Sequence, residues 1–451
     1  MKIVIIGLGT IGKTILKSLS GENHTVTIID EDKNKVETLI EQYDVFGIVG
    51  NGACMEIQNE ADVKDADLVI AVTGSDELNI LACLVAKRLG AQNTAVRVRN
   101  PDYRRQIIEM KDSLGISMII NPERETAAEI FSIINLPSVA QIEHFAKGKV
   151  TLVEIVAEKG CLLIGETLIS LGKKLNTKVL ICAVQRGSQV IIPSGNFKIK
   201  EGDRIHFTSD AKTLGDFLSE VNLVKSPFKN IMIVGGSRIA YYLASTLSKK
   251  KYNVKLIEND YSRAEELAEL LPRATVICGN GTQHDLLLEE GIEAMDVFIA
   301  LTDIDEENMI VSMFANKMKV KKSITKIKSD DLFGMLGELG INNTVSTKHI
   351  VASRVISYIR ALANSIGSNV LTLYQLVNNQ VEALEFAAKK YEYFYDKPLK
   401  ELNIKKNCLI ACIIRESQVI IPDGNSQIQL GDNVVVVTTH KNFDDLNDVF
   451  E

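Results

Sequence analysis

The chain has 451 residues, and at roughly 100–200 residues per domain that length holds about three or four domains, each able to bury its own core. Hydrophobic residues make up 46% and charged residues 24%, an ordinary globular balance that excludes a disordered or fibrous class. A net charge of −7 gives no broad positive field for a phosphodiester backbone, so nucleic acid is not an expected partner.

Met1-Lys2-Ile3-Val4-Ile5-Ile6-Gly7 enters a strand at once, without the basic and apolar regions of a secretory signal. No apolar run approaches the roughly 18–20 residues needed to cross a bilayer. Strands are expected at 2–6, 25–29, 45–49, 68–72, 94–98 and 117–120. Helical periods fall between them at 13–19, 33–41, 78–89 and 102–110. This alternation predicts a parallel, doubly wound sheet. After Pro122 a longer helical period over 124–134 ends at Asn135-Leu136-Pro137. Residues from about 150 to 221 carry strands and turns such as Gln185-Arg186-Gly187-Ser188, without crossover helices, and read as a separate small α+β domain.

The chain then repeats itself. Ser188-Gln189-Val190-Ile191-Ile192-Pro193 recurs letter for letter as Ser417-Gln418-Val419-Ile420-Ile421-Pro422, a separation of 229 residues from Gln189 to Gln418. Gly50-Asn51-Gly52 returns as Gly279-Asn280-Gly281, and Asn79 as Asn308, at the same offset. A period that long, present twice, is a duplicated two-part unit rather than a solenoid. The join falls near Lys225-Ser226-Pro227-Phe228. The expected fold class is α/β, with two doubly wound nucleotide-binding domains at 1–135 and 228–365 and two small α+β domains at 136–224 and 366–451.

Gly7-Leu8-Gly9-Thr10-Ile11-Gly12 follows a strand and opens a helix, the context that gives a G-x-G-x-x-G motif its meaning. Gly7 permits the tight turn, Gly9 lets a phosphate approach the backbone, and Gly12 lets helix and strand pack closely. The N–H groups of Thr10 and Ile11 then face the anion at the positive end of the helix dipole. Asp30 ends the second strand, 18 residues beyond Gly12, where a carboxylate accepts from both ribose hydroxyls. A 2′-phosphate would face Asp30-Glu31-Asp32, so NADP is disfavoured. Copy two departs from this: Gly235-Gly236-Ser237-Arg238-Ile239-Ala240 places Ser237 at the position of Gly9, and Glu258 holds the ribose position. There Arg238 either favours a terminal polyphosphate, ATP or ADP, over a dinucleotide, or is merely solvated.

Two more loops lie at the carboxyl ends of strands, the rim where open α/β sheets bind ligands. Asn51-Gly52-Ala53, matched by Asn280-Gly281, follows strand three and can meet the adenosine. Thr73-Gly74-Ser75-Asp76, matched by Thr302-Asp303-Ile304-Asp305, follows strand four and either meets ligand or only caps the next helix. Arg97 and Arg99 close strand five, to reach a phosphate or pair with a carboxylate; copy two offers Lys326 and Lys328. No metal is expected. The cysteines at 54, 83, 161, 182, 278, 408 and 412 lie mostly in apolar runs and suit a reducing compartment. Cys408 and Cys412 have the even spacing of one packed strand face.

Taken together, the glycine loop with Asp30, the Gly50-Asn51-Gly52 turn, the Thr73…Asp76…Asn79 stretch, Arg97-Val98-Arg99-Asn100-Pro101-Asp102-Tyr103 and the Gly202-Asp203 turn, all duplicated in tandem, resemble the RCK (regulator of potassium conductance) family, in particular the peripheral NAD-binding subunits of Trk potassium-uptake systems. Where that family often has Asp after the third strand's glycine, this chain has Asn51 and Asn280. The resemblance implies a cytoplasmic homo-oligomer, expected as a tetramer, docked at the inner face of the cell membrane on a potassium-translocating subunit of TrkH/TrkG type. It also implies NAD(H) in copy one, ATP/ADP or NAD(H) in copy two, and a regulator rather than an enzyme. The rival class is an NAD-dependent oxidoreductase, which adds a proton donor over the nicotinamide. The one Tyr-x-x-x-Lys, from Tyr393 to Lys397, lies outside both nucleotide domains.

Overall fold

The computed structural model describes every residue except 21, 23, 136–138, 146–149, 158–159, 188, 211–212, 224–227, 333–335, 338, 342, 366–369, 377–379, 390–391, 417, 441–442 and 444. The expected helix end at Leu136-Pro137, the join at Lys225-Ser226-Pro227 and the repeat positions Ser188 and Ser417 lie outside the described residues.

In chain order, copy one runs β1 (Lys2–Ile6), α1 (Thr10–Leu19), β2 (Thr25–Asp30), α2 (Lys33–Gln42), β3 (Phe46–Val49), α3 (Met55–Glu60), β4 (Leu68–Ala71), α4 (Asp76–Leu89), β5 (Asn93–Arg97), α5 (Pro101–Glu109), β6 (Met118–Ile120) and α6 (Pro122–Asn135). Its small domain has β7 (Val139–Phe145), β8 (Val150–Val156), α7 (Leu168–Lys174), β9 (Leu180–Arg186), β10 (Gln189–Ile191), β11 (Arg204–Asp210) and α8 (Thr213–Glu220). Copy two runs β12 (Asn230–Val234), α9 (Arg238–Lys249), β13 (Asn253–Glu258), α10 (Tyr261–Leu270), β14 (Thr275–Cys278), α11 (His284–Glu289), β15 (Val297–Ala300), α12 (Asp305–Lys317), β16 (Lys322–Lys326), β17 (Thr344–Val345) and α13 (Thr347–Ser365). Its small domain contributes β18 (Val370–Leu376), β19 (Val381–Ala387), β20 (Cys408–Arg415), β21 (Gln418–Ile420) and β22 (Asn433–Thr438).

The described chain divides into two compact units, Met1–Asn135 with Phe228–Ile356 and Leu136–Pro227 with Ser357–Glu451. In the first unit both sheets are parallel and doubly wound, ordered β3-β2-β1-β4-β5-β6 and β14-β13-β12-β15-β16-β17. The strand order reverses between β1 and β4 and between β12 and β15. A crevice therefore opens there at the carboxyl ends, where such sheets take ligands. The central strands are apolar on both faces because helices cover both: Ile3 to Ile6 and Leu68 to Ala71 are all buried.

The sequence pattern treats α6 as the end of copy one, yet its apolar face packs elsewhere. Ala127, Ile130 and Ile134 lie in one buried cluster with Ile231, Ile233, Leu243 and Leu247 of copy two. Thr126 Oγ1 donates to Thr347 Oγ1 at 3.1 Å, and Lys322 Nζ donates to the Ile133 carbonyl at 3.1 Å. The two nucleotide domains are thus welded into a single unit.

In the second unit each small domain is an antiparallel five-stranded sheet, β10-β9-β11-β8-β7 and β18-β19-β22-β20-β21. The sheets share a core of Val150, Leu152, Cys182, Val381, Ala411, Cys412 and Val435, and Thr208 Oγ1 donates across it to the Ala411 carbonyl at 3.0 Å. A bulge between Ile410 and Cys412 breaks the even spacing expected of β20. Cys412 consequently faces that shared core, whereas Cys408 sits against Thr438 Oγ1 at 3.1 Å and packs on the opposite face. Cys54, just before α3, and Cys278, the last residue of β14, are exposed.

Candidate nucleotide-binding clefts

Copy one's crevice opens on the turn from β1 to α1. Gly7 adopts φ +99°, and a Cβ there would stand 2.9 Å from Thr73 Cα, so only glycine fits between the ends of β1 and β4. Helix α1 forms because Ile11, Ile15, Leu16 and Leu19 make one buried stripe. Its N-cap is Gly9, which offers no side-chain cap, so the first-turn N–H groups of Thr10 and Ile11 are left for a ligand. A Cβ at Gly12 would collide with the Gly7 carbonyl, the close approach the motif predicts.

Asp30 sits where β2 ends and is tied into the same turn. Its Oδ2 accepts from Leu8 N–H at 2.6 Å and its Oδ1 from Asp32 N–H at 2.9 Å. A carboxylate offers about four acceptor positions, so two remain for ribose hydroxyls. Asp32 is spent differently: it caps α2, accepting from Asn34 and Lys35. The Lys35 side chain, together with that cap, holds the Asp32 carboxyl below its usual range. The Lys35 ammonium stands 3.2 Å from Asp32 and 4.0 Å from Asp30, so the acidic triplet is partly neutralised by a lysine.

The loop after β4 is pinned from below. Asn79, fully buried in α4, accepts at Oδ1 from the Thr73 N–H at 2.8 Å and from the Thr73 hydroxyl at 2.7 Å. Its Nδ2 donates to the Arg97 carbonyl at 3.1 Å, which joins the ends of β4 and β5. Asn308 does the same for Thr302 and the Lys326 carbonyl. Ser75 caps α4, and Asp76 accepts from the backbone N–H groups of Arg99 and Asn100 at 2.8 and 2.7 Å. Both are therefore framework. Asn51 also shapes its turn: its Oδ1 accepts from Ala53 N–H at 2.9 Å, as Asn280 does for Thr282. Gln58, which sequence reasoning did not single out, supports that turn by donating to the Gly52 carbonyl at 2.7 Å.

These elements enclose a cavity of about 660 Å³, within the roughly 300–1,000 Å³ of ordinary ligand pockets. Gly7, Gly9, Thr10, Ile11, Asp30, Gly52, Thr73 and Arg97 line it; Asn51 and Ala53 do not. Arg97 donates to the Thr73 carbonyl at 2.9 Å while its Nε is buried without a partner. Burial pulls this guanidinium below the usual arginine range, the state in which an anion is welcome. Arg99 is instead paired with Glu123 at 2.6 Å. The remaining wall comes from copy two: Ile239, Asp303, Lys326, Lys328, Thr347 and Lys348. The sequence reading confined Ile239, Lys326 and Lys328 to their own copy.

Copy two's crevice is about 350 Å³ and is lined by Gly235, Ser237, Glu258, Asn280, Gly281, Thr302, Asp303 and Glu307 among others. Gly235 repeats the positive φ of Gly7, at +98°. Ser237 caps α9 by accepting from Ala240 N–H at 3.4 Å, and Glu258 accepts from the N–H groups of Gly236 and Asp260. Arg238 is exposed and does not line this crevice. Among the described residues no lysine or arginine does, while Glu258, Asp303 and Glu307 all face it.

Tyr393 and Lys397 lie in the other unit, the ammonium 5.8 Å from the ring centroid in a cation–π contact, with Tyr393 packed edge-on against Phe394. Among the described residues no cluster of three His, Cys, Asp or Glu side chains is arranged to hold a metal, and no helix is long and apolar enough to cross a membrane.

A twice-repeated doubly wound sheet with a glycine-loop crevice, each followed by a small antiparallel domain, defines the class of tandem Rossmann-type RCK proteins. The TrkA-N domain family matches residues 3–122 and 231–347, and the TrkA-C domain family matches 152–222 and 384–451. The chain belongs to the TrkA family of Trk potassium-uptake proteins. It is 34% identical over 444 residues to the Trk system potassium uptake protein TrkA homolog 1 of Methanosarcina mazei, covering 97% of each chain. It is 31% identical to the Trk system potassium uptake protein TrkA of Vibrio alginolyticus, covering 98% of this chain and 97% of that one. A solved structure described as the GsuK channel bound to NAD shares the fold, with a TM-score of 0.65 at 17% identity over 98% of this chain and 77% of the other.

Proposed function

We propose that the chain is the regulatory subunit of a potassium-uptake transporter and that copy one's cleft binds NAD(H) or an adenine nucleotide. The observation that carries this reading is the convergence on one 660 Å³ cavity of an uncapped helix N-terminus, the Asp30 carboxylate and the part-buried Arg97. The helix end and Arg97 attract the phosphates, and Asp30 takes the ribose. The name shared by the relatives supports the transport role, and the NAD-bound GsuK channel supports the choice of ligand.

Copy two's cleft has the glycine turn and Glu258 for an adenosine, the ATP/ADP or NAD(H) site expected of it. Its self-capped helix and acidic lining make it the weaker phosphate site. The chain acts without catalysis, as a homo-oligomer, taken to be a tetramer, on the cytoplasmic face of a TrkH/TrkG-type membrane subunit. A nucleotide moves such a gate only by binding one ring shape better than another.

Calorimetric titration of the purified chain with NADH, NAD⁺, ADP and ATP tests this. Saturable binding is expected, weakened by about 1–3 kcal/mol in Asp30→Ala. Failure to bind all four nucleotides overturns the reading, and substrate-dependent consumption of NADH would establish the oxidoreductase alternative instead.

A further inference from the structure

Asp303 lines both cavities. Its Oδ1 stands 3.1 Å from Lys328 Nζ and 3.3 Å from Lys326 Nζ, on the wall that copy two lends to copy one's cleft. The exposures are opposite: the Lys326 side chain is 6% exposed and that of Asp303 is 84% exposed. The lysine is fixed in the protein, and the acid is the partner free to leave. Apart from Asp303, Lys326 Nζ meets only the Leu301 carbonyl, at 3.4 Å, among the described bonds. A buried ammonium needs an anion beside it. The position equivalent to Asp303 in copy one is Gly74, which has no side chain to play this part.

We infer that Asp303 is an internal stand-in for a ligand phosphate, a counter-anion that a nucleoside di- or triphosphate entering copy one's cleft displaces from Lys326 and Lys328. This rests on the reading that copy one's cleft binds nucleotide. The terminal phosphate offers the lysines more charge and more acceptor oxygens than one carboxylate does. Once released, Asp303 returns its charge to copy two's cleft beside Glu258 and Glu307. Filling the first cleft with an anion therefore disfavours an anion in the second, and the coupling is reciprocal.

Titration of the full chain with ADP, ATP and AMP, in wild type, Asp303→Asn and the double variant Asp303→Asn/Lys328→Gln, tests the inference. Because Asp303 is exposed, the gain sits at the low end of allosteric coupling, about fivefold tighter ADP and ATP in Asp303→Asn. AMP, which lacks the terminal phosphate that would displace Asp303, changes little, and the double variant loses the gain. If wild type binds no nucleotide, the proposed function itself fails. If wild type binds ADP but Asp303→Asn binds it no better, or if AMP tightens as much as ATP, the stand-in role is overturned.

Discussion

Asn79 Oδ1 accepts from both the amide and the hydroxyl of Thr73, at 2.8 and 2.7 Å, and the same pair recurs as Asn308 and Thr302 in copy two. A buried side chain thus fixes the rim residue that faces the glycine turn, and it also ties that rim to the strand bearing Arg97. Asn79→Ala leaves the Thr73 amide and the Arg97 carbonyl without these partners. A loss of about 1–3 kcal/mol of stability is expected. Urea unfolding checks this, and an unchanged midpoint would show that water replaces the side chain at no cost.

The two helix N-termini differ at the capping position itself. Gly9 leaves α1 uncapped with open space where a Cβ would be, whereas Ser237 caps α9. Gly9→Ser is therefore accommodated, and its hydroxyl competes with phosphate for the same amides. The cap is worth about 1 kcal/mol, so the expected result is unchanged or higher thermal stability with about fivefold weaker nucleotide binding. Undiminished affinity in Gly9→Ser would mean the phosphates do not use that helix end.

His206 is almost fully buried in β11, where its Nε2 has no partner. Burial holds its imidazole below the usual histidine range, with Arg204 adding to the effect and Glu154 opposing it. The folded chain thus keeps His206 neutral while the unfolded chain takes up a proton near pH 6.5. Its contribution is fully present above about pH 6.5 and is lost as pH falls from there toward the lower folded value, at a slope of at most about 1.4 kcal/mol per pH unit. Melting temperatures recorded from about pH 7.5 to about pH 5.5 should fall more steeply for wild type than for His206→Leu. Parallel curves would remove His206 as the cause.

Much of this architecture was legible in the residues. The 229-residue repeat and the alternation of strand and helix periods give two doubly wound sheets, and the expected strands lie within a residue or two of β1 to β6. Helix α3 was missed because six residues are too few for an apolar period to emerge. What could not be read was tertiary. The apolar face of α6 is plain in Ala127, Ile130 and Ile134, but nothing local says that it packs on copy two. The composite wall of the first cleft has the same origin: Lys326, Lys328 and Lys348 reach it because the two domains are joined, not because of their spacing. For the loop after β4, open in the sequence between ligand contact and capping, Ser75 caps α4 and Asp76 holds the Arg99 amide, while Asn51 shapes its own turn through the Ala53 amide.

The most direct measurement is a crystal structure of the full chain soaked with ADP at saturating concentration. The diphosphate is expected at the N-terminus of α1 within reach of Arg97, with the ribose on Asp30. A first cleft left empty, or ADP seated only against Ser237 and Glu258, would contradict the assignment of copy one as the nucleotide site.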